Sequence, residues 1–559
     1  MKTNKQSGNM KKINILLIAT LLSIGVFAQQ HSEEVNIVGA FKPKISKAEK
    51  LNFYPKIQNE QIQLPVLRYD FKPFIYESWF DLEPVKPARV GKEQMPLLMR
   101  NYIKAGYGNN NTPFLDFYAG SLANKEYAFG LNLKHFSSDG NIDDVAKSAF
   151  SSNAVNAFGR YIFKTHQLSA RAFYERNVNH RYGFNPLDFP NDTLTDDELK
   201  QRFQEFGLNI NLKSNYKDDA KLFHVIGLGF SQFTDINDTK ELHFDVDLKL
   251  DQMIRDTDAN RLFLGVEAKL DHYKYEVGNV DESGTYTYLN PYIKAEFNEY
   301  YLKVGLNTIF KSDTATTNYL YPNIEAGLEI IPNGLNAVVG IKGEYGRNSF
   351  ADLAKMNPYI NSNIDLKDFN TKFEVYGHLQ GKLAEKLDMR LSLSQRTIEN
   401  FAMFVNDTSI VFNNSFNVLY DEVDVLQASA LFSFEAKENT HIHLGLNYFG
   451  YDMTNELRAW HRPEFTLNLA GHFALSEKFH LKMQLNTFGK SYARTFNNAQ
   501  LVVRELDPYM DVNMELEYYH TDHLSFFLKG NNLLNASYEK WHNYPNQKIT
   551  ILGGLSYAF

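Results

Sequence analysis

From about Met99 to the end of the chain, apolar and polar residues alternate in segments of roughly nine to fifteen residues. In the segment 242–251, the apolar positions 242, 244, 246, 248 and 250 alternate with His243, Asp245, Asp247, Lys249 and Asp251. A period of two places the two sets on opposite faces of a β-strand. The polar face carries charges, which favours a water-filled lumen over the dry core of a β-sandwich.

The length of these segments distinguishes a membrane barrel from a soluble sheet. A strand that crosses a bilayer at a tilt needs about 9–11 residues, whereas an ordinary strand has about 5–6. The segments 242–251, 261–271 and 465–473 all fall in the longer class. The pattern therefore predicts strands that cross a membrane.

The connections between the segments are alternately short and long. Short polar turns are predicted near 124–125, 165–166, 216–219, 257–260, 298–299, 332–334, 384–386, 437–439, 476–478 and 521–523. Longer loops are predicted at 109–113, 137–148, 179–201, 235–240, 276–284, 312–318, 347–369, 396–416, 450–462, 490–505 and 532–545. These connections predict an all-β fold, a single antiparallel transmembrane barrel of about 22 strands over 99–559, with 20 or 24 strands as the alternatives. An even strand number with unequal connections is typical of the bacterial outer membrane and leaves both termini in the periplasm.

The N-terminus has the pattern of a secretory signal peptide. Lys11 and Lys12 precede an apolar run over 13–27, and small residues at Val26 and Ala28 fit a cleavage site before Gln29. The alternative is a membrane anchor, but the run is shorter than the roughly 20 residues that span a bilayer. We therefore expect residues 1–28 to be removed on export.

Composition narrows the function classes. Aromatic residues make up 14% of the 559 residues, which suits strands and the aromatic girdles of membrane barrels. The chain has no cysteine, so disulfides, thiolate metal sites and a cysteine nucleophile are excluded. A net charge of -8 without a basic run argues against nucleic acid as a partner.

The last hairpin carries a family resemblance. It runs from the Asn-Asn-Leu-Leu-Asn stretch at 531–535 through Trp541 to the amphipathic segment that ends in Tyr557 and Phe559. This pattern resembles the closing strands of TonB-dependent receptors, and Tyr557 with Phe559 resembles the signal by which outer-membrane barrels are recognised for insertion. The resemblance covers 99–559 in plan and about the last thirty residues in motif, and it implies outer-membrane transport.

A second stretch resembles the start of the plug domain in receptors of the Bacteroidota type. It comprises Glu33, Glu34, Val35, Val38 and Gly39. The family's plug has well over a hundred residues, whereas here about sixty separate Gly39 from the first strand. The segment 29–98 is rich in proline, which denies it long helices or strands, so we expect an extended periplasmic or lumenal segment. Its many aromatic residues indicate that 40–98 docks on the barrel's own wall or on an outer-membrane or periplasmic protein.

Candidate chemistry is sparse. His441 and His443 share a strand face, and the sequence shows no third metal ligand at useful spacing. Asp245, Asp247 and Asp251 beside Glu267, Lys269 and Asp271 predict a cross-strand charge ladder. No catalytic, cofactor-binding or metal-binding residue is predicted, and the chain is not expected to be an enzyme.

The long loop after residue 179 contains Thr195 and Glu198, a capping-box spacing ahead of 199–206. It indicates a short helix over the outer mouth, with an unstructured acidic tip as the alternative. An empty 22-stranded lumen would be a hole in the membrane, so the N-terminal segment, the loops 347–369 and 396–416, or a partner must fill it. Two functions stay open: a transport-related barrel without a full plug, or a non-transporting scaffold subunit of an outer-membrane complex.

Overall fold

The computed structural model describes residues 100–559, with gaps at 122–123, 141, 191–193, 217–220, 258–259, 314–315, 438–439 and 498–499. Residues 97–559 form one compact unit. The expected signal peptide, the stretch from Glu33 to Gly39 and the rest of 29–98 lie outside the described residues.

The wall is a single sheet of 22 strands in which each strand pairs antiparallel with its neighbours. The wall strands are β1 (Asn101–Gly108), β2 (Thr112–Gly120), β3 (Tyr127–Ser138), β4 (Phe150–Ile162), β5 (His166–His180), β6 (Lys200–Ser214), β7 (Phe223–Thr234), β8 (Lys240–Asp256), β9 (Asn260–Val277), β10 (Val280–Phe297), β11 (Tyr300–Ser312), β12 (Thr316–Ile331), β13 (Leu335–Arg347), β14 (Asp368–Ala384), β15 (Leu387–Asn406), β16 (Phe416–Lys437), β17 (Thr440–Met453), β18 (Phe465–Ala474), β19 (Phe479–Phe488), β22 (Tyr509–Tyr519), β23 (Leu524–Asn531) and β26 (Thr550–Ala558). The predicted fold class and strand number are confirmed.

The long loops contain the remaining elements. Two hairpins lie outside the wall: β20 (Ser491–Asn497) with β21 (Gln500–Leu506), and β24 (Glu539–Trp541) with β25 (Tyr544–Pro545). Two helices, α1 (Asp196–Leu199) and α2 (Phe350–Met356), and a 3-10 turn (Pro186–Asp188) complete the described structure. We call the two rims of the wall the short-turn end and the long-loop end.

The barrel closes by pairing of the first strand with the last. β1 and β26 are in register from Tyr102 opposite Ala558 to Gly108 opposite Leu552. At the rim, Asn101 and Phe559 exchange two backbone hydrogen bonds of 3.0 and 2.9 Å. The closed ring leaves no open sheet edge, as a barrel in lipid requires.

The outer face of the wall is apolar, and exposed aromatic residues flank several of its short turns. On β11, Leu302, Val304 and Leu306 are all exposed, in agreement with the predicted alternation. Exposed aromatic pairs flank the short turns, with ring-centroid distances of 4.6 Å for Tyr161–Phe163 and 4.5 Å for Phe297–Tyr300. These rings form the girdle expected at a membrane interface.

Several predicted connections are wrong in extent. The expected loop 276–284 is a two-residue turn between β9 and β10, because Gly278 adopts the left-handed conformation, with φ of +55°, that tight hairpins require. The expected loop 396–416 shrinks to 407–415, since β15 continues to Asn406. Strands reach 22 residues in β16 rather than the expected fifteen. Pairing of the backbone continues beyond the length that a membrane demands, so the wall extends further at the long-loop end.

The β1–β26 seam generates a prediction. A Cβ added to Gly554 would lie 2.1 Å from the Ala105 carbonyl oxygen and 2.6 Å from the Gly106 Cα, and neither backbone atom can move aside. We expect Gly554→Val to destabilise the closed barrel by about 1–3 kcal/mol, the usual cost of overpacking. The folded fraction is measured by heat-modifiable mobility in gel electrophoresis.

Gly553→Val is the matched control, because its nearest neighbours, the Phe527 carbonyl oxygen and Leu528 Cδ1, lie at 3.7 and 3.9 Å. The control is expected to fold like the wild-type protein. Equal folded fractions for the two variants would show that the seam is not tightly packed at Gly554.

Candidate functional site

The inner wall carries charges where β7 to β13 face the lumen. Lys249 lies directly opposite Glu267, and their side chains pair at 2.7 Å. On the same face, Lys269 Nζ lies 2.9 Å from Asp271 Oδ2. The residues of the predicted ladder thus share the inner face, where Glu267 pairs across the strands with Lys249 and Lys269 pairs with Asp271 along β9.

These charges border a cavity of about 460 Å³ inside the barrel. The lining includes Asp247, Lys249, Glu267, Lys269, Tyr288 and Lys342. Carboxylates, ammonium groups and a phenol thus face the same space, which suits a polar solute or ordered water better than an apolar ligand.

A cluster of tyrosines stands beside this cavity. The ring centroids of Tyr319 and Tyr345 are 3.9 Å apart, and Tyr273 and Tyr286 meet edge to face at 6.0 Å. Asp368, the first residue of β14, accepts hydrogen bonds from the hydroxyls of Tyr286 (2.7 Å) and Tyr345 (2.9 Å). Lys311 Nζ lies 2.6 Å from the same carboxylate. These contacts hold the tyrosine rings as a rigid aromatic surface around the carboxylate of Asp368.

Sequence reasoning missed the tyrosine cluster, although a signal was present. The spacing Tyr-x-Tyr occurs on three strands, at 273 and 275, at 286 and 288, and at 319 and 321. Period two puts each pair on one face of its strand. The sequence does not show that the three faces meet, because this depends on the register of β9 to β12.

The loop 348–367, between β13 and β14, folds across the lumen. Its helix α2 buries Phe350 completely and Leu353 to 1% exposure. The N–H of Phe350 donates to Glu241 of β8 (2.8 Å), and the Tyr275 hydroxyl of β9 donates to the Ser362 carbonyl (2.9 Å). Since β8 and β9 are well separated from β13 and β14 along the sheet, this loop spans the mouth and fills part of it, as expected for 347–369.

The last long loop reaches the same centre from the other side. Tyr544 stacks on Tyr359 of the crossing loop at 3.7 Å and donates a 2.5 Å hydrogen bond to the Asn414 carbonyl. Burial raises the pKa of Tyr544 well above its usual value, so the hydroxyl stays protonated and able to donate. Trp541 packs on Phe416 with a centroid distance of 5.7 Å. We call the assembly formed by the described residues of loops 139–149, 181–199, 348–367, 407–415, 454–464 and 532–549 the cap.

Polar contacts join the loops of the cap at its centre. Arg181 donates to the Ile360 carbonyl (3.0 Å), and the Asn361 amide donates to Asp407 (2.8 Å). Burial alone would raise the pKa of Asp407, but hydrogen bonds from Ser409 and Asn361 outweigh it and lower the pKa. The carboxylate is therefore charged at neutral pH and fixed between two loops.

The predicted capping box forms, but the helix is shorter than expected. The hydroxyl of Thr195 accepts from the Glu198 N–H (3.4 Å), and the Glu198 carboxylate accepts from the Thr195 N–H (2.8 Å). The helix α1 ends at Leu199, and the stretch 200–206, which the sequence left open to helix, belongs to β6. Pairing with β5 and β7 overrides helix continuation there.

His441 and His443 lie on the inner face of β17 as expected, with His472 of β18 opposite His441. His441 Nδ1 lies 3.8 Å from Glu435 Oε1, whereas His443 Nδ1 contacts the Ser433 hydroxyl at 3.0 Å. The pair is thus divided between different partners.

The two proposed insertion-signal residues lie at the short-turn end of β26. Tyr557 and Phe559 are exposed on the outer face, with ring centroids 5.9 Å apart. The plug-like residues Glu33, Glu34, Val35, Val38 and Gly39 lie outside the described residues. In the described part of the chain, no helix is long and apolar enough to cross a membrane.

No protein-family model and no curated protein matches the sequence. The structure, in contrast, is similar to solved outer-membrane receptors. The ferripyoverdine receptor of Pseudomonas aeruginosa matches with a TM-score of 0.61 and 12% identity, over 82% of this chain and 72% of that one. The ferric-catecholate import receptor Fiu of Escherichia coli K12 matches with a TM-score of 0.60 and 10% identity, over 83% and 82% of the two chains.

The siderophore receptor PirA of Acinetobacter baumannii matches with a TM-score of 0.59 and 8% identity, covering 82% of this chain and 80% of that receptor. All three are receptors rather than enzymes. The fold of the barrel is therefore that of the outer-membrane siderophore receptors.

The cap generates a prediction about pH. His461 is buried in the cap, where its Nδ1–H donates to the Phe404 carbonyl (2.9 Å) and its Nε2 accepts from the His542 N–H (3.2 Å). Burial lowers the pKa of His461 to about 4 from its usual 6.5. The imidazole binds a proton more readily when the cap is open than when it is closed. The contribution of neutral His461 to cap stability is therefore fully present above pH 6.5, and about 3 kcal/mol of it is lost as the pH falls to 4.

The measurement is hydrogen exchange of the cap amides from pH 8 to 4, corrected for intrinsic rates, with the fluorescence of Trp460 and Trp541 as a second readout. The control His461→Asn removes the titrating group but tolerates the left-handed backbone, where φ is +54°. We expect the control to lose this pH dependence. The same acid-induced opening in both proteins would assign it to another group.

Proposed function

We propose that this protein is a transport-related barrel of the bacterial outer membrane, without a full plug, whose long-loop mouth is closed by the cap. The observation that carries the proposal is the charged and tyrosine-lined cavity of about 460 Å³ inside a barrel with the fold of siderophore receptors. A closed structural wall has no need for such an inner surface. The proposed solute is polar, because the side chains that face the cavity are polar or charged.

The organisation of the chain follows from the same proposal. Residues 1–28 are a signal peptide that is cleaved on export, and 29–98 form an extended segment at the periplasmic or lumenal side. Tyr557 and Phe559 serve as the insertion signal, and Glu33, Glu34, Val35, Val38 and Gly39 correspond to a plug opening. The wall contacts outer-membrane lipid through its apolar outer face and aromatic girdle, and 40–98 dock on the barrel's own wall or bind an outer-membrane or periplasmic protein.

The second candidate function is a non-transporting scaffold subunit, and the cap itself favours it. Its centre contains side chains with no exposure at all, among them Phe350 and Ile360, which share one buried cluster with Phe416 of β16. Opening such a core exposes several large apolar side chains at about 1.5–3 kcal/mol each. A barrel that must open often would be expected to have a more polar closure.

Conductance in planar bilayers distinguishes the two functions. Four proteins are compared: the chain from Gln29, the chain from Met99, the chain from Gln29 with Ile360→Asp, and the Met99 chain with the same substitution. Ile360 is completely buried in the cap, so an aspartate there costs several kcal/mol and is expected to disrupt the cap. If the protein is a transport barrel, we expect the wild-type chain from Gln29 to be closed. The Ile360→Asp variant should conduct, at least in the form that begins at Met99.

Val411→Asp introduces the same charge in the cap at a side chain that is 69% exposed, and it is expected to leave conductance unchanged. If the chain from Met99 conducts without the Ile360→Asp substitution, residues 29–98 are the gate. If all four proteins are folded and silent, the lumen is sealed independently of cap and N-terminal segment, and the scaffold function takes the place of transport.

A further inference from the structure

Three side chains on the inner wall converge at the junction of β8 and β9, just below the cap. The strand register places Asp245 directly opposite Asp271, and His243 lies two residues before Asp245 on the same face. One ligand atom from each of these residues lies within 4.8 Å of the other two. The three side chains converge because β8 and β9 are each hydrogen-bonded to a strand on both sides, which fixes their register in the wall.

Two of the three distances match those of ligands around one metal ion. His243 Nε2 lies 3.1 Å from Asp271 Oδ1 and 3.8 Å from Asp245 Oδ1. Ligands at about 2.1 Å from a shared ion are about 3.0 Å apart at a right angle and about 3.8 Å apart at 130°. A simple His–Asp hydrogen bond explains the shorter distance, whereas Asp245 lies beyond hydrogen-bond distance of His243 and shares a side-chain hydrogen bond with Asp247.

Neighbouring residues hold the three side chains in place. The imidazole of His243 stacks on Tyr273 with a centroid distance of 4.3 Å and an angle of 8°. Lys269 binds Asp271 through Oδ2 at 2.9 Å, which leaves Oδ1 toward His243. Such outer partners orient ligands before a metal arrives.

The opposite strand makes room for the carboxylate of Asp245. Gly229 of β7 pairs with Asp245, and a Cβ on this glycine would lie 2.1 Å from Asp245 Oδ1. Any larger residue would therefore push the carboxylate from its place.

The charge around the junction favours a cation. Four carboxylates and two cationic side chains of the inner wall lie around it: Glu241, Asp245, Asp247 and Asp271 against Lys269 and Arg347. Lys249 and Glu267 neutralise each other at 2.7 Å. The excess of negative charge in a partly desolvated wall is the electrostatic condition for binding a divalent ion.

We propose that His243, Asp245 and Asp271 form a binding site for a divalent transition-metal ion such as Zn²⁺. One imidazole nitrogen and two carboxylate oxygens suit such an ion better than Mg²⁺ or Ca²⁺, which prefer oxygen ligands alone. Three protein ligands leave the remaining coordination positions open toward the lumen, where water or a solute oxygen completes the shell. The site is independent of the proposed function, since it requires neither conduction nor an N-terminal partner.

The test measures Zn²⁺ binding by the full chain in detergent, after chelator treatment, by competition with a chromogenic chelator and by metal analysis of the gel-filtered protein. We expect His243→Ala and Asp271→Asn each to lose one equivalent of bound Zn²⁺ relative to the wild type. Asp245→Asn is expected to weaken binding about tenfold or more. Heat-modifiable gel mobility verifies that each variant is a closed barrel.

His272→Ala is the matched control, because His272 is the neighbour of Asp271 on the opposite, outer face and bonds to the Thr285 hydroxyl at 2.9 Å. It is expected to bind as much Zn²⁺ as the wild type. Other histidines of the lumen can add equivalents to every protein, so the difference between variants is decisive. Equal stoichiometry and affinity for the folded wild-type, His243→Ala and Asp271→Asn proteins would overturn the proposal.

Discussion

The structure depends on one requirement, that every backbone N–H and C=O of the wall has a partner. In lipid an unpaired group costs several kcal/mol, so a sheet can be stable there only if it closes on itself. The pairing of β1 with β26 meets that requirement, and the contact between Gly106 and Gly554 lets the two backbones approach. Once the ring is closed, the alternation of apolar and polar residues along each strand is enough to give an apolar outer face and a polar lumen.

A closed ring of this size encloses more space than its own side chains fill, and the loops take up part of it. The long-loop end carries the cap, where aromatic residues from distant loops, such as Tyr359 and Tyr544, form a dry centre. Below it the wall stays wet and charged. The molecule therefore combines two environments that differ in polarity within one lumen, and the charged junction of His243, Asp245 and Asp271 lies close to the boundary between them.

The sequence was sufficient for the wall, since strand existence, strand number and the alternation of turns and loops are local properties of the pattern. Even so, 396–416 and 276–284 were misjudged, because strand length beyond the membrane depends on pairing with neighbours. The cap, the tyrosine cluster and the convergence of His243 with Asp271 depend on register and on contacts across the lumen. The latter two residues are 28 positions apart on different strands. The sequence identifies each residue of these sites, but it does not show that they lie close together in space.

The long span of the contacts in the cap has a consequence for the order of folding. The Tyr182 hydroxyl donates to the Pro545 carbonyl across 363 residues, so this bond can form only after nearly the whole chain has been synthesised and threaded into place. Loop closure over such distances is entropically costly and is favourable only when the wall has already brought the ends together. Completion of the cap is thus a late step of assembly, because its last loop, 532–549, precedes only the closing strand β26.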